Sequence, residues 1–88
     1  MRSTTTKRFR KALKSLPRSV RERAQAAYAL FMQDPFHPSL HFKLLDPESQ
    51  LYSARVGKYY RALGTREGDK ITWFWIGTHT EYDKLIKK

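Results

Sequence analysis

The hydrophobic pattern of this 88-residue chain changes its period at Asp34-Pro35, and this change restricts the folds that the chain can adopt. Before it, apolar residues recur at helical spacing as two stripes, Phe9, Ala12, Leu13 and Leu16, then Val20, Ala24, Ala27 and Phe31. Pro17 ends the first stripe and Asp34-Pro35 ends the second. The pattern predicts two helices, the second over Arg18–Gln33, joined at Pro17 as a hairpin.

Beyond the hairpin the apolar residues alternate, as they do in strands with one buried face. Alternation occurs in residues 51–56, 59–63 and 70–76. A tight reversal is predicted at Gly57-Lys58 and a hairpin loop at 64–69, while 40–45 is a short mixed segment and 80–86 a short helix. We therefore predict an α+β fold: an N-terminal helix hairpin packed on a small antiparallel sheet of three or four strands, followed by a short C-terminal helix.

The composition favours one globular domain over residues 1–88, because 40% of the residues are apolar and 14% are aromatic. The threonine-rich start offers helix N-caps, and residues 1–6 are otherwise expected to be flexible. Cysteine is absent, which fits a reducing compartment. The longest apolar run, 26–32, is too short for a membrane span, and the polar start does not resemble a signal peptide. We expect a cytoplasmic protein.

Positive charge is concentrated at the start of the chain. The whole chain carries 18 basic and 8 acidic residues, a formal charge of +10, and residues 1–23 alone carry +8. Such a segment attracts nucleic acid, an anionic membrane surface or an acidic protein. It can equally be a solvated face that keeps the protein soluble.

Two of the three histidines do not form a metal-binding motif. His37 and His41 are four residues apart, but Pro38 interrupts the segment, so we predict no metal site.

His79 follows the last predicted strand, with Tyr82 and Asp83 one helical turn further on. If Arg61 projects toward the same edge, an imidazole, a phenol and a cation meet there, a set suited to metal-free cleavage of RNA. The alternative is a capped helix whose Tyr82 only packs.

Three segments in this order resemble the RelE/ParE superfamily of bacterial type II toxins. They are Leu13-Lys14-Ser15-Leu16-Pro17, Val56-Gly57-Lys58-Tyr59-Tyr60-Arg61-Ala62-Leu63 and Trp75-Ile76-Gly77-Thr78-His79-Thr80-Glu81-Tyr82-Asp83. The resemblance covers most of the chain. It implies a RelE-like fold and a bacterial, cytoplasmic toxin that an antitoxin holds inactive.

The resemblance also implies roles for single residues. Arg61 matches an arginine that contacts the scissile phosphate, and Arg55 matches one of two lysines on the preceding strand, where Ser53 stands for the second. His79 stands where relatives carry an arginine or a histidine that acts as acid or base. Tyr82 is similar to a tyrosine that stacks on a base or aids catalysis. Further contacts to RNA are expected from Lys58, Lys7, Arg10, Lys11 and Lys14.

The leading hypothesis is therefore a ribosome-dependent endoribonuclease that cuts mRNA without a metal or cofactor. The alternatives are a ParE-like inhibitor of DNA gyrase and a catalytically inactive RNA-binding homologue. The expected partners are mRNA, ribosomal RNA and an acidic antitoxin in a hetero-oligomer, with no membrane. The general base is left unassigned.

Overall fold

The computed structural model describes residues 1–87, which form a sheet of five strands and three α-helices. The elements are β1 (Arg2–Thr5), α1 (Lys7–Lys14), α2 (Arg18–Gln33), a 3-10 turn (Pro38–Leu40), β2 (Lys43–Asp46), β3 (Leu51–Val56), β4 (Tyr60–Glu67), β5 (Lys70–Thr78) and α3 (His79–Ile86). The strand order is β1-β5-β4-β3-β2, and only β1 and β5 are parallel. The predicted α+β class is confirmed.

Local hydrogen bonds fix the helix hairpin where the sequence predicted it. The Thr6 hydroxyl accepts the Phe9 N–H at 3.0 Å and so caps α1. At the other end of α1, the Arg21 guanidinium donates to the carbonyl oxygens of Lys14 and Leu16 at 3.2 and 3.1 Å. These bonds satisfy carbonyls that a helix end leaves open and tie α2 to α1. No helix within residues 1–87 is both long and apolar enough to cross a membrane.

The hairpin covers one face of the sheet with an aromatic core. Phe31 of α2 is 3% exposed, and its ring meets Phe42 and Trp73 edge-on at centroid distances of 5.1 and 5.4 Å. Ala54 and Ala62, which lie opposite each other on β3 and β4, contribute to the same core. Because side chains alternate along a strand, the residues before and after each alanine on its own strand lie on the opposite face of the sheet.

A bulge in β5 sends its two tryptophans to opposite faces. Leu63 pairs with Trp75 while Gly64 pairs with Trp73, so Phe74 is an extra residue on β5. Trp73 is consequently buried in the core under the hairpin. Trp75 shares the opposite face with Leu63, beside the residues of the site described below.

The N-terminal segment forms an edge strand instead of the flexible stretch that the sequence suggested. Residues 2–5 pair with residues 70–73 of β5, and the Arg2 and Thr6 N–H groups donate to the Asp69 and Trp73 carbonyls at 2.7 and 3.0 Å. The Trp73 indole N–H donates to the Ser3 hydroxyl at 3.1 Å. A Ser-Thr run has no apolar alternation, but β-branched threonine suits an edge strand that completes β5.

Two other sequence predictions are wrong in their boundaries. The predicted loop 64–69 is mostly strand, since β4 continues to Glu67 and only Gly68-Asp69 turns. The mixed segment 40–45 contains the start of edge strand β2. Both stretches become strands by pairing with neighbours, which a local pattern does not show. The edge strands β1 and β2 bring the sheet to five strands instead of three or four.

Two glycines with nearly the same backbone conformation provide a matched test of the turn beside the site. Gly57 and Gly68 have φ of 63° and 59°, but a Cβ on Gly57 would lie 2.9 Å from Cδ of Arg23, whereas one on Gly68 would meet nothing within 4 Å. We expect Gly68→Ala to lower the free energy of unfolding by about 1 kcal/mol through backbone strain alone. Gly57→Ala should lower it further in equilibrium urea denaturation.

Arg23→Ala separates the two contributions. In the Arg23→Ala protein, Gly57→Ala should lower the free energy of unfolding by only as much as Gly68→Ala does. Equal losses for the two glycine variants in the wild-type chain would show that Arg23 moves aside without cost.

Candidate functional site

A polar cleft of about 230 Å³ opens on the sheet face opposite the hairpin. Its lining residues come from β2 and the turn before it, from β3, from β4 and from α3: His41, Lys43, Ser53, Arg55, Arg61, His79, Tyr82 and Asp83. Ser53 and Arg55 alternate with the core residue Ala54 on β3, which places them on this face. The structure thus brings together Arg55, Arg61, His79 and Tyr82 in one cleft.

Two arginines that form no ion pair within residues 1–87 lie in the cleft. Arg55 and Arg61 lie directly opposite each other on β3 and β4. Their guanidinium groups donate to the backbone carbonyls of Gly57 and Tyr60 at 3.1 and 2.8 Å. Among residues 1–87, ion pairs involve other cations, the Met1 amino group and Arg18. Like charges in this arrangement repel, so the pair is suited to an anion such as a phosphate, whose oxygens match guanidinium donors.

His79 stands at the edge of the cleft as the first residue of α3. Its backbone N–H donates to the Tyr59 carbonyl at 2.7 Å, and its imidazole ring stacks on the Tyr59 ring at a centroid distance of 6.1 Å. Lys58 places its ammonium 5.6 Å from the same tyrosine ring, so it lies beside the cleft without lining it. The exposed imidazole is therefore held next to the arginine pair, where it can exchange a proton with a bound molecule.

A capping box fixes the start of α3. The Thr78 hydroxyl accepts the Glu81 N–H at 3.1 Å, while the Glu81 carboxylate accepts the Thr78 N–H at 2.8 Å. The hydrogen bonds from the Thr78 backbone and hydroxyl lower the pKa of Glu81, which keeps its carboxylate charged at the helix N-terminus. The helix that carries His79 and Tyr82 thus begins at a defined place.

Tyr82 lines the cleft with a side chain that is largely buried. Its side chain is 6% exposed, and its hydroxyl donates to the Ser53 hydroxyl at 3.2 Å. A ring covered in this way does not offer a face for stacking on a base, which was one role that the resemblance implied. The hydrogen bond instead ties α3 to β3.

Sequence reasoning missed two cleft residues because both depend on the pairing of β2. Lys43 lies opposite Ser53, so it brings an ammonium group beside the position where the resemblance has a second lysine and this chain has Ser53. His41 ends the 3-10 turn in a left-handed conformation with φ 45°, and it lines the cleft. Recognising 43–46 as a strand beside β3 would have identified both.

The other histidine of this region has a structural role. His37 caps the 3-10 turn, since its Nδ1 accepts the Ser39 N–H at 3.2 Å. Across residues 1–87 no three His, Cys, Asp or Glu side chains are grouped so that they could hold a metal ion.

The basic residues of α1 do not join the cleft. Phe9 of α1 packs into the core between the hairpin and the sheet, on the sheet face opposite the cleft. The four residues predicted to contact RNA are exposed on this helix: Lys7, Arg10, Lys11 and Lys14. The protein therefore has two separate cationic surfaces, one on the hairpin and one in the cleft.

Residues 18–84 match the family model described as the ParE-like toxin domain. The chain belongs to this family. The matched segment contains α2, all cleft residues and four of the five strands. The RelE/ParE superfamily that the sequence motifs indicated is thereby confirmed.

Several solved structures share this fold. The chain is similar to a chain of the archaeal RelE–RelB complex from Pyrococcus horikoshii, with 23% identity, a TM-score of 0.72 and coverage of 88% of this chain and 92% of that one. The match to the RelB–RelE antitoxin–toxin complex from Methanococcus jannaschii has 22% identity and a TM-score of 0.73, and it covers 93% of this chain and 96% of that one. The match to a copper-bound mutant toxin from Helicobacter pylori has 16% identity and a TM-score of 0.59, and it covers 92% of this chain and 97% of that one. No curated protein shows significant sequence similarity to the chain.

Sulfate should stabilise the ParE-like toxin by binding between Arg55 and Arg61, because it relieves their repulsion. At several times its Kd, a bound anion contributes about 1 kcal/mol, which raises the Tm of a small domain by roughly 4–8 °C. Arg61→Gln should remove this increment in thermal unfolding followed by circular dichroism.

Arg66→Gln is the matched control, since Arg66 lies on the same strand but outside the cleft. It should respond to sulfate like the wild type, which corrects for the general salting effect. Identical sulfate responses in all three proteins would contradict an anion site between the arginines.

Proposed function

We propose that this ParE-like toxin is a ribosome-dependent endoribonuclease that cleaves mRNA without a metal or cofactor. The observation that carries the proposal is the Arg55–Arg61 pair, which forms no ion pair with a carboxylate of residues 1–87 and lines the same cleft as His79. A cleft that only recognised a protein surface would gain little from two repelling cations and a proton-transfer group at one point.

The proposed roles follow from the positions of the side chains. Arg61 and Arg55 bind the scissile phosphate and stabilise the additional negative charge that develops as the 2′-oxygen attacks phosphorus. His79 exchanges a proton with a reacting oxygen. Tyr82 positions α3 through its hydrogen bond to Ser53 and does not stack on a base.

Two separate cationic surfaces fit a substrate that is presented by a larger polyanion. The exposed basic face of α1 is available to ribosomal RNA while the cleft on the opposite sheet face holds mRNA. Lys58 and Lys43 extend the positive charge around the cleft, where they can contact neighbouring phosphates.

An acidic antitoxin is the proposed protein partner. Two of the structures that this fold resembles are RelE–RelB complexes. The charge of +8 in residues 1–23 would speed the encounter with an acidic chain, and a segment laid over the cleft would block access to RNA. We propose that the toxin is stored as such a hetero-oligomer.

Inhibition of DNA gyrase is the second candidate function. The observation in its favour is the description of the matching family as ParE-like. In that case the fold would act as a binding module, and the cleft would have no chemistry of its own.

Arg61→Ala should abolish cleavage of mRNA on programmed ribosomes while leaving the fold intact. Removal of a group that stabilises developing charge lowers the single-turnover rate by about 10²- to 10³-fold in comparable sites. Arg61→Lys should recover only part of the rate, because an ammonium lacks the two-pronged donor geometry. New 5′ ends are mapped and timed, with circular dichroism to check folding.

Arg66→Ala serves as the control on the same strand and should cleave at the wild-type rate. A gyrase supercoiling assay is run beside it. Inhibition of supercoiling without new mRNA ends would support the second candidate, and ribosome binding without either activity would indicate an inactive homologue.

A further inference from the structure

We infer that His41 is a second catalytic imidazole, the group that accepts the proton of the attacking 2′-hydroxyl. This inference rests on the proposed ribonuclease activity and extends it, since neither the motifs nor the arginine pair identifies a general base. Cleavage needs a proton removed at one end of the reacting phosphate and a proton supplied at the other.

The strand order places an imidazole on each side of the arginine pair. Lys43 pairs with Ser53 in antiparallel register, so the chain enters β2 beside the Arg55 end of β3, and His41 lies just before that point. Arg55 pairs with Arg61, and Arg61 pairs with Gly77, two residues before His79. Across the sheet the cleft therefore reads His41, Arg55, Arg61, His79, with the phosphate site between the two histidines.

The backbone holds His41 at this place, while its ring is free for chemistry. The His41 N–H donates to the Pro38 carbonyl at 3.3 Å, and the preceding Leu40 is 3% exposed in the core. Its φ of 45° is in the left-handed region, and its side chain lines the cleft. The ring nitrogens of His41 make no hydrogen bond to any residue within 1–87, whereas the ring of His37 accepts one from Ser39.

The charges around the two histidines favour a division of roles. The titratable and charged groups that line the cleft beside them are Lys43, Arg55, Arg61, Tyr82 and Asp83, and Lys58 and Tyr59 lie next to His79. His41 lies in the cleft with two cations, Lys43 and Arg55, whereas Asp83 follows His79 by one turn of α3. On this difference in neighbouring charge we assign the proton-accepting role to His41 and the proton-donating role to His79.

The resulting step is a transesterification in which atoms and protons balance. His41 takes the proton from the 2′-hydroxyl, the 2′-oxygen forms a bond to phosphorus, and the bond from phosphorus to the 5′-oxygen breaks. His79 gives its proton to the departing 5′-oxygen. The products are a 2′,3′-cyclic phosphate and a 5′-hydroxyl, and the two histidines end in exchanged protonation states that water resets.

The test compares His41→Asn with His79→Ala on programmed ribosomes whose mRNA carries either the normal 5′-oxygen or a bridging 5′-sulfur at the cleavage site. Asparagine tolerates the left-handed backbone at position 41, so folding is preserved. On the normal mRNA both variants should lose about 10²- to 10⁴-fold in single-turnover rate. A thiolate leaves without a proton, so the sulfur substrate should restore His79→Ala but not His41→Asn.

His37→Asn is the control, because asparagine can still cap the 3-10 turn, and it should cleave both substrates like the wild type. The inference fails if His41→Asn cleaves the normal mRNA at the wild-type rate, or if the sulfur substrate restores it. Arg61→Ala, measured beside them, reports on the proposed function alone. If Arg61→Ala loses cleavage while His41→Asn cleaves at the wild-type rate, only the role of His41 is overturned. Absence of cleavage by the wild type would overturn both.

Discussion

The cross-strand pairing of Arg55 with Arg61 is the constraint on which the cleft depends. Like charges directly opposite each other destabilise a sheet, so the register that opposes them has to be held by other contacts. The opposite face supplies these contacts, because Ala54 and Ala62 pair in the adjacent register position under the aromatic core around Phe31. One face of β3 and β4 packs into the core, and the other presents the two arginines in the cleft.

The edges of the cleft are held as firmly as its centre. The capping box of Thr78 and Glu81 sets where α3 begins, and the buried hydrogen bond from Tyr82 to Ser53 ties that helix to β3. These contacts fix the backbone of α3, which begins with His79. Fixed positioning of this kind is what an enzyme needs to stabilise charge as it develops in the transition state.

Local signals were enough to predict the helices, whereas the strands formed by pairing were not predicted. Proline interrupts the hydrogen bonds of a helix interior, so Pro17 and Asp34-Pro35 indicated the bounds of α2 from the sequence alone. β1, β2 and the second half of β4 lack apolar alternation and become strands only against their neighbours. His41 and Lys43 were therefore missed, because their place in the cleft follows from the register of β2 against β3. The motifs indicated Tyr82, but only the packing of α3 shows that its ring is buried.

The chemistry of the RNA ends tests the central claim most directly. mRNA that has been cut on ribosomes by the purified protein in the presence of EDTA is treated with polynucleotide kinase to identify its termini. If the arginine cleft catalyses attack by the neighbouring 2′-hydroxyl, the new ends are a 5′-hydroxyl and a 2′,3′-cyclic phosphate, and a 2′-deoxy nucleotide at the cleavage site prevents the cut. Products with a 5′-phosphate, cleavage at the deoxy site, or intact mRNA would contradict the account.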